Sequence, residues 1–261
     1  MITSTVILMA AAFSILAHVR GQPPPFDDAF ITYRYVDNAL SGKGLVYNPG
    51  ERVLGVSTPL YLAWLLCLRS ILPFSTVAVS VIGNAAWFIL SGLAAFLLVR
   101  RLTGAMVPAG AATALLLVNK TLLPLSTGGM ESFLFSGLWL LALYFIAGDR
   151  LEAAGVAAGF TALARPEGVL LVPLILAAAV AGVTDSERRT EHWRRTVVAV
   201  AAAVLPWLLW AGFAWMYYGD PLPHSIRAKA RPVYPFPPGA ALDRIEGRLV
   251  DWTWHSERVM V

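Results

Sequence analysis

Charge is scarce in this 261-residue chain. Only 14% of its residues are Asp, Glu, Lys or Arg, against about 25% in a typical soluble domain. That shortage excludes an ordinary soluble globule. Cysteine is nearly absent as well: Cys67 stands alone, so no internal disulfide forms. It lies among leucines and is expected to be packed there. Lysine is rare and arginine takes its place, grouped in short loops where it reports topology. The net charge of +4 therefore carries no nucleic-acid meaning, and no nucleic-acid partner is expected. No Lys or Arg precedes the apolar core of Met1–Val19, and no small-residue cleavage site follows before Gly21, which argues against a removed signal peptide. No internal repeat is visible, and that counts against a transporter built from paired halves.

What the chain does have is apolar residues, 57% of the total, clustered in blocks. This pattern predicts an all-α, polytopic transmembrane protein with about seven spans. The first span runs from Ile2 to His18. A polar loop follows over residues 20–57, bounded by Pro23-Pro24-Pro25 and Asn48-Pro49-Gly50-Glu51, with a short helix expected over Ala29–Leu40. Residues 58–73 are apolar but short and contain Arg69, so an interfacial helix is expected over Pro59–Leu72. Further spans are expected at Thr76–Val99, Ala105–Leu123 and Ser132–Ala147. Ala153–Val183 is apolar but interrupted by Arg165-Pro166-Glu167-Gly168, which predicts two short helices meeting at a turn. Asp185–Arg195 reads as an arginine-rich loop, and Thr196–Tyr218 as the last span. Residues 1–218 form the membrane domain on this reading, and 219–261 an outer-face tail. Placing Arg100-Arg101, Arg150 and the Arg188–Arg195 cluster in the cytoplasm puts every unusual polar stretch on the opposite face.

Those stretches carry the candidate chemistry. Asp27 and Asp28 directly follow the first apolar segment. Carboxylates so placed are costly unless they face water, a metal or a substrate, and either suits a base that activates an acceptor hydroxyl. The bland alternative is a helix N-cap. Glu131, after Gly128-Gly129-Met130, is a candidate ligand for sugar hydroxyls or, with Asp28, for a divalent cation such as Mg, Mn or Ca. Its alternative is an acidic group favoured at a helix N-terminus. Arg165 and Glu167 interrupt an apolar stretch as a polar cavity would require. Arg165 suits a phosphate with its planar fork, or else the two form a mutual ion pair. After the last span, His224, Arg227 and Lys229 are candidates for binding a lipid phosphate, with headgroup snorkelling as the alternative for the cations. Arg34 is a further phosphate candidate, and Tyr33 a candidate for sugar or acceptor binding. Asn119-Lys120-Thr121 matches a glycosylation acceptor but falls within an expected span.

Asp27–Tyr35, continuing through Gly42–Glu51 to Ser57-Thr58-Pro59-Leu60, resembles the GT-C superfamily of integral-membrane glycosyltransferases. Gly128–Glu131, Arg165–Gly168 and Tyr218–Ser225 match further blocks of one branch, that of the mycobacterial terminal arabinofuranosyltransferase. The resemblance covers nearly the whole chain in order. It implies an inverting transfer of a sugar from a polyprenyl-phosphate donor to a cell-envelope glycan or other acceptor, on the outer face of a bacterial plasma membrane. The catalytic aspartate would be Asp27 or Asp28, and some family members use a divalent cation. His224 stands where the family usually has Asn. Family members are commonly much longer, so a truncated or split enzyme is expected, in contact with membrane lipids. The competing expectation is a non-catalytic membrane protein that binds polyprenyl-phosphate lipids, or a transport component.

Overall fold

The computed structural model describes residues 25–119, 121–181 and 189–224. Its described elements are all helical: α1 (Ala29–Leu40), α2 (Pro59–Ile71), α3 (Thr76–Thr103), α4 (Met106–Leu117), α5 (Leu123–Thr127), α6 (Ser132–Ile146), α7 (Leu151–Ala164), a 3₁₀ turn (Pro166–Leu170), α8 (Leu171–Ala181) and α9 (Arg189–Tyr218). The expected first span, Ile2–His18, lies outside the described residues. The chain divides into two units, Met1–Pro223 and His224–Val261, and all of these helices belong to the first.

This unit has two distinct ends. At one, the motif end, Phe26, Leu45, Gly128–Glu131, Arg165 and Tyr217–Tyr218 meet. At the other, the arginine end, the Arg101 guanidinium lies 4.7 Å from the centre of the Tyr144 ring. Arg195 there donates to the Asp149 carboxylate at 3.1 Å and to Glu152 at 3.0 Å. The His192 ring reaches Ala179 O at 2.7 Å. Among the described residues the chain runs between these ends six times, through α3, α4–α5, α6, α7, α8 and α9. Helix α2 does not join them: its Tyr61 hydroxyl bonds Gly129 O, and the Thr76 hydroxyl just beyond it bonds Asp37.

Small residues set the closest packing. Gly155 and Gly159 on α7 face the backbone of α9, where a Cβ on Gly155 would lie 2.1 Å from Ala199 O and one on Gly159 2.6 Å from Ala202 O. Glycines four apart let two helix backbones approach where bulky side chains would hold them off. Between α3 and α6 the Ser91 hydroxyl donates to Phe133 O at 2.9 Å. A buried polar bond of this kind fixes helix register where apolar packing alone is less selective.

Two helices are long and apolar enough to cross a bilayer, Thr76–Thr103 and Thr190–Tyr218. The most apolar stretch of the second is only 17% buried, with Leu205, Leu208, Leu209, Trp215 and Met216 all exposed. Monomeric soluble proteins rarely expose so much contiguous apolar surface, and it points to association with a membrane. The remaining apolar helices are shorter. At 1.5 Å per residue, the 12 residues of α4 rise only about 18 Å, against a hydrocarbon core of about 30 Å.

Three sequence expectations need correction. The single span expected at Ala105–Leu123 is divided: α4 ends at Leu117, and Asn119 intervenes before α5. The Asn119 carboxamide oxygen accepts from Thr121 N–H at 2.9 Å, a local bond that competes with the helix ladder. The Asp185–Arg195 loop is helical from Arg189 onward, because Glu191 pairs with Arg194 one turn on and Arg195 is drawn onto α7. Cys67 is exposed, not packed. Helix α2 buries Tyr61, Leu62 and Leu65, and a residue two positions past Leu65 points to the opposite side.

Candidate functional site

The motif end is built around Gly129. Its φ of +77° suits glycine, and a Cβ there would sit 2.0 Å from the Tyr33 hydroxyl. The loop containing it is tied at three successive carbonyls. Phe26 N–H donates to Gly128 O at 2.9 Å, the Tyr61 hydroxyl to Gly129 O at 2.9 Å, and the Asn84 amide to Met130 O at 3.0 Å. The Tyr33 hydroxyl shares a 2.6 Å bond with Ser80. Burial pushes the Tyr33 and Tyr61 hydroxyls above the ordinary tyrosine value, so both stay protonated and able to donate. Four separated segments, α1, α2, α3 and the loop before α6, thus hold one surface.

This clamp fixes Glu131, which is 5% exposed and the one buried charged residue among those described. Desolvation raises its carboxyl above the usual value; a backbone bond and then the Arg165 charge act against that shift. Arg165 stands 3.7 Å away. Its fork also grips Glu167, donating at 3.1 Å from one terminal nitrogen, and its guanidinium lies 5.7 Å from the centre of the Phe135 ring. Arg165 therefore serves two carboxylates, which is the mutual-pair arrangement rather than an open phosphate fork. Glu131 occupies the residue before α6 but makes no side-chain cap bond.

Asp27 and Asp28 are exposed at the start of α1. Asp28 holds the N-cap position without making a side-chain cap bond. Among the described residues neither carboxylate has a hydrogen bond or ion-pair partner, so neither is consumed by local structure. Phe26, immediately before them, is bonded to Gly128 and packs against it, which places the pair beside the Glu131 loop.

Beyond the Arg165 turn lies an apolar groove of about 310 Å³. Ala158 and Ala162 of α7, Pro166 and Val169 of the 3₁₀ turn, Val172 of α8, and Ala203 and Trp207 of α9 line it. Its floor is nearly free of polar atoms and it begins at the residue next to Arg165.

The other sequence candidates are distributed differently. The Tyr33 hydroxyl points into the Ser80 bond, and the side chain as a whole is buried in the core. Arg34 donates to Tyr47 O at 3.0 Å and stacks on the Tyr47 ring at 4.8 Å, away from Arg165. His224 belongs to the second unit, and Arg227 and Lys229 lie outside the described residues. Among the described residues no three His, Cys, Asp or Glu side chains gather as a metal group. Sequence reasoning missed Tyr61, Ser80 and Asn84. Asn84, a carboxamide inside a charge-free apolar helix, was the one signal that pointed to them.

Comparison with protein-family models, with curated proteins and with solved structures finds no match for this chain.

Proposed function

We propose that this chain is a multi-pass membrane glycosyltransferase of the polyprenyl-phosphate type, working by inversion on the outer face of a bacterial plasma membrane. The carrying observation is convergence. The blocks Asp27-Asp28, Gly128–Glu131 and Arg165–Gly168, distant in sequence, meet at one end. That end is opposite the arginines expected to face the cytoplasm. The six passes between the ends, together with the apolar Ile2–His18 segment, give the seven spans of this reading. The exposed apolar surface of α9 supports it.

On this reading the apolar groove behind Arg165 takes the donor's prenyl chain. Asp27 or Asp28, exposed and unpaired, takes the proton from an acceptor hydroxyl. The hydroxyl oxygen bonds to the anomeric carbon as the bond from that carbon to phosphate oxygen breaks. The polyprenyl phosphate leaves with the bonding electrons, and the configuration inverts. Arg165, already shared by Glu131 and Glu167, positions the Glu131 loop against the groove. The acids present do not gather as a three-ligand metal group among the described residues. The tail cations Arg227 and Lys229 remain proposed partners for the leaving phosphate.

The test is transfer by the full chain in liposomes from a panel of polyprenyl-phosphate sugars, arabinosyl and mannosyl first. One of Asp27→Asn and Asp28→Asn is expected to lower the rate by about a hundredfold to ten-thousandfold. Equal transfer by wild type and the double variant would remove the aspartates from the chemistry. Donor-lipid binding without turnover by any member of the panel would favour the non-catalytic lipid-binding protein.

A further inference from the structure

A second cavity, of about 360 Å³, lies against α1 and shares no lining residue with the apolar groove. Phe30, Arg34 and Asp37 of α1 line it, with Lys43, Tyr47 and Pro49 from the loop that follows. The helical residues recur at three- and four-residue spacing and so share a face. Hydrogen bonds fold the loop back over them. Buried Asn38 donates from its amide nitrogen to Val46 O and Tyr47 O, each at 2.9 Å. Lys43 N–H donates to Asn38 O at 2.9 Å. Arg34 adds its bond to Tyr47 O and its stack on the Tyr47 ring.

The result is a cavity whose charges are unevenly spent. Asp37 accepts from the Thr76 hydroxyl. Among the described residues the Lys43 ammonium has no hydrogen-bond or ion-pair partner, and Arg34 is bonded only through Nε, leaving its two terminal nitrogens free. Neither cation forms an ion pair with Asp37. Two free cationic ends beside one carboxylate leave an excess positive charge. A planar fork and a point charge set together suit an oxyanion with several oxygens. The remaining Asp37 oxygen accepts hydroxyl protons, and the Phe30 and Tyr47 rings offer apolar faces to the C–H side of a polyol. A prenyl chain finds no apolar channel here.

We propose that this cavity binds a phosphate-bearing polyol, with Lys43 and Arg34 on the phosphate and Asp37 on a hydroxyl. The site shares no lining residue with the apolar groove, and its binding requires no transfer step. The same chemistry is presented by a soluble polyol phosphate and by a phosphatidylglycerol headgroup.

Calorimetric titration of the full chain in phosphatidylcholine nanodiscs, with glycerol 1-phosphate and with glycerol, tests the chemistry. Native mass spectrometry of lipids retained from an equal phosphatidylglycerol–phosphatidylcholine mixture tests the lipid source. Glycerol phosphate is expected to bind and glycerol not. Lys43→Gln, an exposed change whose folding is checked by melting, is expected to weaken binding about tenfold, with wild-type affinity falling as salt rises. If only phosphatidylglycerol is retained, and Lys43→Gln abolishes that preference, the phosphate is a lipid's. Failure of both ligands, or equal binding by Lys43→Gln, overturns the assignment. Neither result bears on transfer, which is measured separately.

Discussion

Arg165 lies 3.7 Å from Glu131 and closes over a carboxylate that is otherwise sealed from water. Burial raises the Glu131 pKa above its ordinary value, and this has a consequence of definite sign. Between the ordinary glutamate value, about 4.5, and the raised folded value, the folded state holds more protons than the unfolded one. Stability therefore falls as pH rises through that window. Glu131→Gln is expected to flatten this slope. Melting temperatures of the two proteins across pH 4–8 in the same detergent check it, and parallel curves would show that Glu131 does not titrate differently on folding.

Gly129→Ala is expected to destabilise by roughly 2 kcal/mol or more. The new Cβ meets the Tyr33 hydroxyl at 2.0 Å on a backbone with φ of +77°, and strain and overpacking each cost on the order of 1–3 kcal/mol. Thermal melting measures this. Tyr33→Phe in the same background removes the closest contact but leaves the Ala29 Cβ at 2.9 Å and the backbone strain, so partial recovery is expected.

Gly155→Leu is expected to separate α7 from α9. A Cβ already meets the Ala199 carbonyl at 2.1 Å, and backbone cannot rotate aside as a side chain does. The expected outcome is a loss of roughly 3 kcal/mol or failure to recover folded protein. A Gly212→Leu control sits where a Cβ meets nothing within 4 Å and should melt near wild type.

The orientation is open to a direct test. In a Cys67→Ser background, Lys43→Cys at the motif end should react with a membrane-impermeant maleimide on intact cells. Arg150→Cys at the arginine end should react only after permeabilisation. Labelling of both from outside would place the two ends on one side of the membrane and remove the basis for the seven-span reading.

How far the sequence reached can be judged element by element. Helix α1 was legible because proline and Ser41-Gly42 bracket a helical pattern, and α3 and α6 because long apolar runs admit little else. The break before the 3₁₀ turn was legible from Pro166 between two charges. The division of α4 from α5 was not, since it depends on how the Asn119 side chain bonds locally. Nor was the helical start at Arg189, because Arg195 is held by Asp149 and Glu152 from a different part of the chain. Cys67 was misplaced because leucine neighbours do not say which side of a helix faces inward. Glu131 was recognised as a candidate, but its pairing with Arg165 is a tertiary fact, invisible to spacing. The Lys43 cavity escaped notice for the same reason: it exists only because Asn38 holds the following loop in place.

Leu45 is bonded through its N–H to the Tyr217 hydroxyl at 3.1 Å and through its carbonyl to the Tyr218 hydroxyl at 2.7 Å. The early loop is thus fastened by side chains that leave the ribosome among the last of the described unit. While the intervening helices are being made, that loop has no such anchor, and long-range closures of this kind come late in assembly. A nascent protein arrested before α9 would carry both aspartates yet lack the clasp that orders their surroundings.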